Sequence, residues 1–306
     1  MKKQIIATGI SGLVGSRVKE LLGKQYEFIN FSLDKGVDIT NFSLLKTKIN
    51  QYPESSIILH LAAFTDVDSA FNQNENKNGS CYQVNVIGSK NIAQLCKKTN
   101  KYLINISTDF VFDGKNPPIG GYTENDEPNP IEWYGKTKYL AEEEIRKSGC
   151  QYSILRIAFP FKAKLSPKKL EPYPKLDLVR KIISKLKNRE QLNMFTDQKI
   201  TPTFIDDIAK VIDRVIELQP KGIFHSTGST ALSPFELMMK VAKVFNLDHS
   251  KVEKITLGEF LRQNPTSRPR PKNTSLSNKK LTQELGTKMS TIDEALIKCK
   301  KQLEVS

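Results

Sequence analysis

"KQIIATGISGLVGSRVKELLG", residues 3–23, decides how the rest of the chain is read. It opens on a short apolar run that reads as a buried strand. It passes through glycines at 9, 12 and 15. It closes on Val14, Val18, Leu21 and Leu22, which recur at helical spacing. Strand, glycine turn and helix in that order make the first unit of a dinucleotide-binding fold. Gly9 shapes the tight turn, Gly12 lets backbone approach a pyrophosphate, and Gly15 lets the helix pack on the strand. The helix N-terminus then offers free N–H groups and the positive end of its dipole to phosphates. A glycine triplet alone is weak evidence; its place at the first strand–helix junction gives it weight.

Outward from that turn the rhythm continues. Strands are expected over 26–32, 55–63, 101–108 and 151–159, with helices over 41–52, 80–100 and 132–149. Several strands are apolar almost throughout, as in a parallel sheet covered on both faces. The expected fold is α/β: a Rossmann-type doubly wound parallel sheet with a smaller C-terminal substrate-binding lobe. Residues 1–160 are read as the NAD(P)-binding domain, with 195–220 returning to it, and 161–306 as mainly the substrate lobe. Past residue 160 comes the Pro- and Lys-rich "KAKLSPKKLEPYPKLD" (162–177), an expected exposed loop. Helices over 176–187 and 233–246, an extended-then-helical 201–218 and a short strand over 222–227 follow.

Composition narrows the function class. At 38% hydrophobic and 26% charged, a chain of 306 residues suits a globular protein, and no run of 18 apolar residues marks a membrane span. The N-terminus reads as a strand rather than a signal peptide. Cys81, Cys96, Cys150 and Cys299 are far apart and lack metal-ligand spacing, so free thiols in a reducing cytoplasm and no metal are expected. The net charge of +14 could serve nucleic acid, but no nucleic-acid motif supports that; an anionic small-molecule ligand or a general lysine bias is preferred.

The second strand ends at Ser32, where dinucleotide sites usually place an acid for the ribose 2′-OH. A serine leaves room for a 2′-phosphate, and Lys35 is near, although Asp34 opposes it. NADP(H) is therefore expected over NAD(H). Ser107 and Thr108 follow a central strand at its carboxyl end. Tyr134 and Lys138, four apart, share one helix face. The spacing itself says little: 9 tyrosines in a chain with 38 lysines among 306 residues give about one such pair by chance. The chemistry of the group says more. A phenol can give a proton to the alkoxide formed when a ketone is reduced, an ammonium nearby lowers its pKa, and a hydroxyl can hold the carbonyl.

"TGISGLVG", "HLAAFTDVDSA" (60–70), "NVIGSKNIA" (85–93), "STDFVFDG" (107–114), "YTENDEPNPIEWYGKTKYLAE" (122–142), "TPTFIDDIA" (201–209) and "RPKNTSL" (270–276) run in order through the chain. Together they resemble the extended short-chain dehydrogenase/reductases, most closely the dTDP-4-dehydrorhamnose reductase family. The resemblance implies NAD(P)H-dependent reduction of the 4-keto group of a nucleotide-activated deoxysugar. It implies that Gly12, Leu13 and Val14 line the cofactor diphosphate, with Gly9 and Gly15 shaping the turn. Ser32 would sit near the adenosine ribose, Asp38 and Ile39 beside the adenine, and Ala63, Phe64 and Thr65 at the nicotinamide half. Tyr134 would be the proton donor, Lys138 would hold the nicotinamide ribose, and Thr108 and Asp109 would meet the substrate. Phe159 and Arg270 would also be on the substrate side, Arg270 at its phosphates. Two departures fall there: the family commonly has tyrosine at the place of Phe110 and tryptophan at that of Phe159.

The same resemblance allows a homodimer, another nucleotide-sugar epimerase or dehydratase, or a cofactor-binding regulatory subunit like the methionine adenosyltransferase β subunit. The remaining tempting residues have plainer readings. His60 reads as a packed histidine, Asp66 and Asp68 as turn chemistry, residues 142–144 as a solvated acidic helix face, and Trp133 as packing.

Overall fold

The computed structural model describes residues 2–163 and 176–304, so most of the expected Lys/Pro-rich loop lies outside the described residues. Five strands carry the front of the chain: β1 (Lys3–Thr8), β2 (Tyr26–Asn30), β3 (Ile57–His60), β4 (Tyr102–Thr108) and β5 (Tyr152–Ile157). They pair in parallel in the order β2-β1-β3-β4-β5, and a sixth strand, Gly222–His225, adds beyond β5.

Alternation along each strand explains the two covered faces. Ile5, Ile57, Leu59, Ile104, Leu155 and Ile157 pack one way, with Val18, Leu22 and the helix Ile205–Leu218. Ile6, Ile58, Leu103 and Ile154 pack the other way, against Leu45, Ile49, Ile92, Leu95 and Ile145. Successive side chains of a strand point to opposite faces, so a strand buried on both sides reads as a nearly continuous apolar run. Each such side chain contributes about 1.5–3 kcal/mol when fully buried.

A third apolar cluster builds a second core beside the sheet. It joins Phe161, Val179, Ile182, Phe204, Leu237, Met238, Val241, Leu296 and Cys299. The chain enters it from β5, leaves it through the helix Ile205–Leu218 and the sixth strand, and re-enters it. Two details depart from the sequence expectation. The region expected as one helix over 80–100 contains a π-helical stretch, Gln83–Gly88, before the regular helix Ser89–Lys98. The strand expected at 222–227, placed with the second lobe on sequence grounds, instead completes the large sheet.

The crossovers from β1 to β2 and from β2 to β3 run in opposite directions across the sheet. The resulting crevice opens at the carboxyl ends of β1 and β3, the switch point where such sheets take ligands.

Candidate active site

The glycine turn sits at that switch point. Gly9 has φ +64°, and a side chain there would meet the backbone nitrogen of Ala62 at 2.5 Å, on the chain leaving β3. A Cβ on Gly15 would stand 2.6 Å from the Cα of Ile10, so the helix can lie this close only with glycine there. Gly12 caps the helix Leu13–Leu22 without a side-chain hydrogen bond, which leaves Leu13 and Val14 in a first turn whose N–H groups a ligand could take. At the end of β2, the Ser32 hydroxyl and the Asn30 side-chain oxygen are buried without hydrogen-bond partners. Asp34 accepts a hydrogen bond from Ser11 of the glycine turn at 3.3 Å. Asp38 folds back on Thr40, accepting from its amide and hydroxyl at 2.8 Å each, while Ile39 is buried against the site of Gly88.

Beyond β3, His60 is packed. Its ring nitrogens lie 2.6 Å from the Thr8 hydroxyl and 3.0 Å from that of Ser89, and burial lowers its pKa to about 3. Ala63 and Phe64 are half-buried and Thr65 exposed. Asn85, inside the π-helical stretch, accepts from the Phe64 amide at 2.8 Å. Its own amide group donates to the Phe64 carbonyl at 3.2 Å and to the Thr137 hydroxyl at 3.0 Å. Thr137 in turn donates to the carbonyl of Tyr134 at 2.8 Å. One asparagine thus joins the loop after β3 to the helix Trp133–Lys147. Sequence reasoning passed over it, although π-turns gather at functional sites.

Thr108, Asp109, Phe110, Tyr134 and Phe159 come together at the carboxyl end of β4. The Phe110 ring meets Tyr134 edge-on at 6.2 Å and Phe159 at 6.0 Å. Thr108 donates to Asp109 at 3.1 Å, and Thr274 donates to the other oxygen of Asp109 at 2.6 Å. Burial raises the Asp109 carboxyl to about 7 despite those donors. Tyr134 is pushed well above its ordinary value, first by burial and then by the charges of Glu132 and Asp109, with Thr108 acting the other way. Lys138 lies one turn along the same face and is buried. Its ammonium donates to the carbonyl of Ile106 at 2.7 Å, and burial lowers its pKa to about 8. The lowering of the phenol expected from the lysine is not what sets its pKa here; desolvation dominates. Phe159 carries a positive φ of 41°, a strained value for a side chain of its size, and accepts a hydrogen bond from Thr203 at 3.3 Å.

Glu132 caps the helix that carries Tyr134, its carboxylate accepting from Gly135 at 2.6 Å and from Tyr134 at 3.0 Å. Trp133 packs, stacked on Tyr82 at 6.2 Å. Asp66 caps the short helix Val67–Phe71 by accepting from Ser69 at 3.1 Å. The guanidinium of Arg270 lies 6.0 and 5.2 Å from the Phe195 and Phe260 rings, and its Nε is buried without a partner.

The reading of residues 142–144 as a solvated face fails at its first residue. Glu142 is buried and accepts from Nε and Nη2 along one edge of Arg156, at 3.0 and 2.6 Å, and the Ser107 hydroxyl donates to it. Arg156 also lies 3.4 Å from His225 and over the Phe112 ring at 5.2 Å. A buried charge demands a partner, and the arginine inside apolar β5 supplies it.

Known proteins carry the same pattern. A "Probable low-salt glycan biosynthesis reductase Agl14" of Haloferax volcanii is 28% identical over 94% of this chain and 94% of its own. The methionine adenosyltransferase 2 subunit beta of Rattus norvegicus is 29% identical over 91% of this chain and 81% of its own. The crystal structure of a dTDP-4-dehydrorhamnose reductase from Bacillus anthracis in complex with NADP superposes with a TM-score of 0.86. It is 28% identical, covering 99% of this chain and 100% of that one. The family model described as "RmlD substrate binding domain" matches residues 2–305. With the glycine turn, the Thr108–Tyr134–Lys138 row and the six-stranded sheet in place, the chain belongs to the RmlD substrate binding domain family, within the extended short-chain dehydrogenase/reductases.

Proposed function

We propose that the protein is an NAD(P)H-dependent reductase acting on the 4-keto group of a nucleotide-activated deoxysugar. The observation that carries this reading is the group of buried Thr108 and Lys138 with half-buried Tyr134, beside a glycine turn built for a diphosphate. The residues present fit a dinucleotide: the uncapped helix start at Leu13, and the orphaned Ser32 and Asn30 oxygens at the end of β2. Gly9, Gly12, Leu13, Val14 and Gly15 would hold its diphosphate, and Ser32 its adenosine ribose with Asp38 and Ile39 in the following loop. Ala63, Phe64, Thr65, Tyr134 and Lys138 would hold its nicotinamide half. NADP(H) is the proposed form, since Ser32 presents no negative charge to a 2′-phosphate and Asp34 is turned to Ser11. Four free, buried cysteines suit a cytoplasmic, reducing compartment.

When bound, the reduced cofactor supplies a hydride to the carbonyl carbon. Thr108 would hold the carbonyl oxygen and Tyr134 would give it the proton. A phenol held above its usual pKa is fully protonated at neutral pH, as a proton donor must be. The ammonium of Lys138 lies on the same helix face and would steady the phenolate left behind. Phe110 and Phe159 form an apolar wall beside the tyrosine, and Arg270, an unpaired fork on aromatic rings, would take phosphate oxygens.

The test is NADPH oxidation, followed by absorbance, with a dTDP-4-keto-6-deoxysugar. Turnover is expected, and Tyr134→Phe should lower it by about 10²–10⁴-fold with cofactor affinity retained. Tight NADPH binding without turnover on any nucleotide sugar would replace this reading with a regulatory one.

A further inference from the structure

Thr108 is the hydroxyl proposed to hold the substrate carbonyl, and two neighbours already engage it. The Phe110 amide donates to it at 3.2 Å, which takes one of its two lone pairs. Its one proton goes to Asp109, 3.1 Å away, whenever that carboxylate is ionised, because an ionised carboxylate only accepts. Thr108 would then have no proton left for a ketone. The other oxygen of Asp109 accepts from Thr274 at 2.6 Å. Thr274 is buried, and its backbone is clamped. Its amide donates to the Lys199 carbonyl at 3.0 Å, and the Asn273 amide donates to the Gly114 carbonyl at 3.1 Å. Asp109 is itself 2% exposed, and its side-chain partners among the described residues are these two hydroxyls, with no cation.

We infer that Asp109 and Thr274 are positioning residues for Thr108: Asp109 serves as the neutral acid, its proton on the oxygen facing Thr108, and Thr274 keeps the other oxygen as an acceptor. The acid O–H then donates to the remaining lone pair of Thr108, and Thr108 keeps its own proton for the carbonyl. The inference rests on the reductase reading for that carbonyl, while the state of the acid is measurable without substrate. Burial without a counter-charge favours the neutral form and raises the carboxyl to about 7, despite both hydroxyl donors. The ionisable groups facing it from the helix Trp133–Lys147 are Tyr134, the capping Glu132, and Lys138, whose ammonium is held by the Ile106 carbonyl. From the segment that carries Thr274, Arg268 is bound to Asp68 and Arg270 lies on Phe195 and Phe260.

The experiment pairs infrared difference spectra of the full chain, taken below and above about pH 7, with the pH profile of kcat/KM. Wild type should show the carbonyl band of a protonated carboxyl that disappears above that pH and is missing in Asp109→Asn. Its kcat/KM should fall about tenfold per pH unit above about 7. Asparagine offers an N–H to Thr108 and an oxygen to Thr274 at every pH, so Asp109→Asn should lack this limb and outpace wild type above it. A limb from Lys138, lowered to about 8, would remain in both. Thr274→Val loses a donor that favours the ionised form, so band and limb should both move to higher pH, and Thr274→Ser should restore them. A wild-type spectrum without the band at low pH, a limb surviving in Asp109→Asn, or an Asp109→Asn variant inactive across the range would overturn the inference. The expected band and its shift in a wild type that reduces no nucleotide sugar would instead fault the reductase reading alone.

Discussion

Exchanging Glu142 for glutamine should be among the most damaging single changes in the sheet. The carboxylate meets Arg156 at 3.0 and 2.6 Å, and both side chains are about 1% exposed. Arginine cannot shed its proton to escape burial. Glu142→Gln therefore strands a cation between strand and helix, which costs about 3–5 kcal/mol, a large part of a typical 5–15 kcal/mol stability. Arg156→Met likewise leaves the buried Glu142 carboxylate without its partner and should cost a similar amount. Replacing both, Glu142→Leu with Arg156→Met, removes the charges together and should land within about 1–2 kcal/mol of wild type, the residue being the unpaired Ser107 hydroxyl and His225 edge. Urea unfolding midpoints at constant m would measure all three. A Glu142→Gln variant within about 1 kcal/mol of wild type, or a double variant as costly as the two singles added, would refute the account of a desolvated pair.

Three further outcomes follow from the site. Asp109 has a folded-state pKa near 7, above its unfolded value, so between about pH 4 and 7 the native protein holds the extra proton and stability from this group falls as pH rises. Asp109→Asn should flatten that slope in thermal unfolding across the same window. Gly135→Ala should cost about 1–3 kcal/mol in urea unfolding, with a matching loss of kcat, because its methyl also falls 2.9 Å from Glu132 Oε1. Ser32→Asp should shift the NADPH-to-NADH affinity ratio towards NADH by about tenfold or more, read by fluorescence titration of each cofactor.

Local signals made the first half of the chain legible. The glycine turn, the alternating apolar strands and the Tyr134–Lys138 face each rest on residues close in sequence, so pattern alone could place them. What escaped rests on distance. Glu142 looked solvated because its partner is on another element, although an arginine inside the apolar "YSILRI" was a signal that some carboxylate had to reach it. Asp68 and Arg268 meet across 200 positions, which no periodicity reports. The π-turn at 83–88 keeps helical composition and differs only in hydrogen-bond register, so Asn85 could not be seen turning towards Phe64. The sixth strand was recognised as a strand but not as part of the large sheet, because four apolar-leaning residues say nothing of their neighbour.

The chain's excess of positive charge does not gather at the proposed reacting centre. Around Tyr134 stand the charges of Asp109 and Glu132, with Lys138 on the same helix face already engaged with a carbonyl. A substrate diphosphate would be repelled there, and an apolar wall of Phe110 and Phe159 offers it nothing. Arg270 has different surroundings: the Phe195 and Phe260 rings at 6.0 and 5.2 Å, Arg268 and Asp68 as charged neighbours, and an unsatisfied Nε. On the proposed reading the two ends of a nucleotide sugar therefore face chemically different walls. The ketone end meets a neutral proton donor with its counter-charges tied up, and the phosphate end meets an arginine that has not yet found an anion. Orientation of the substrate would follow from that asymmetry of charge before any contact to the sugar hydroxyls is made.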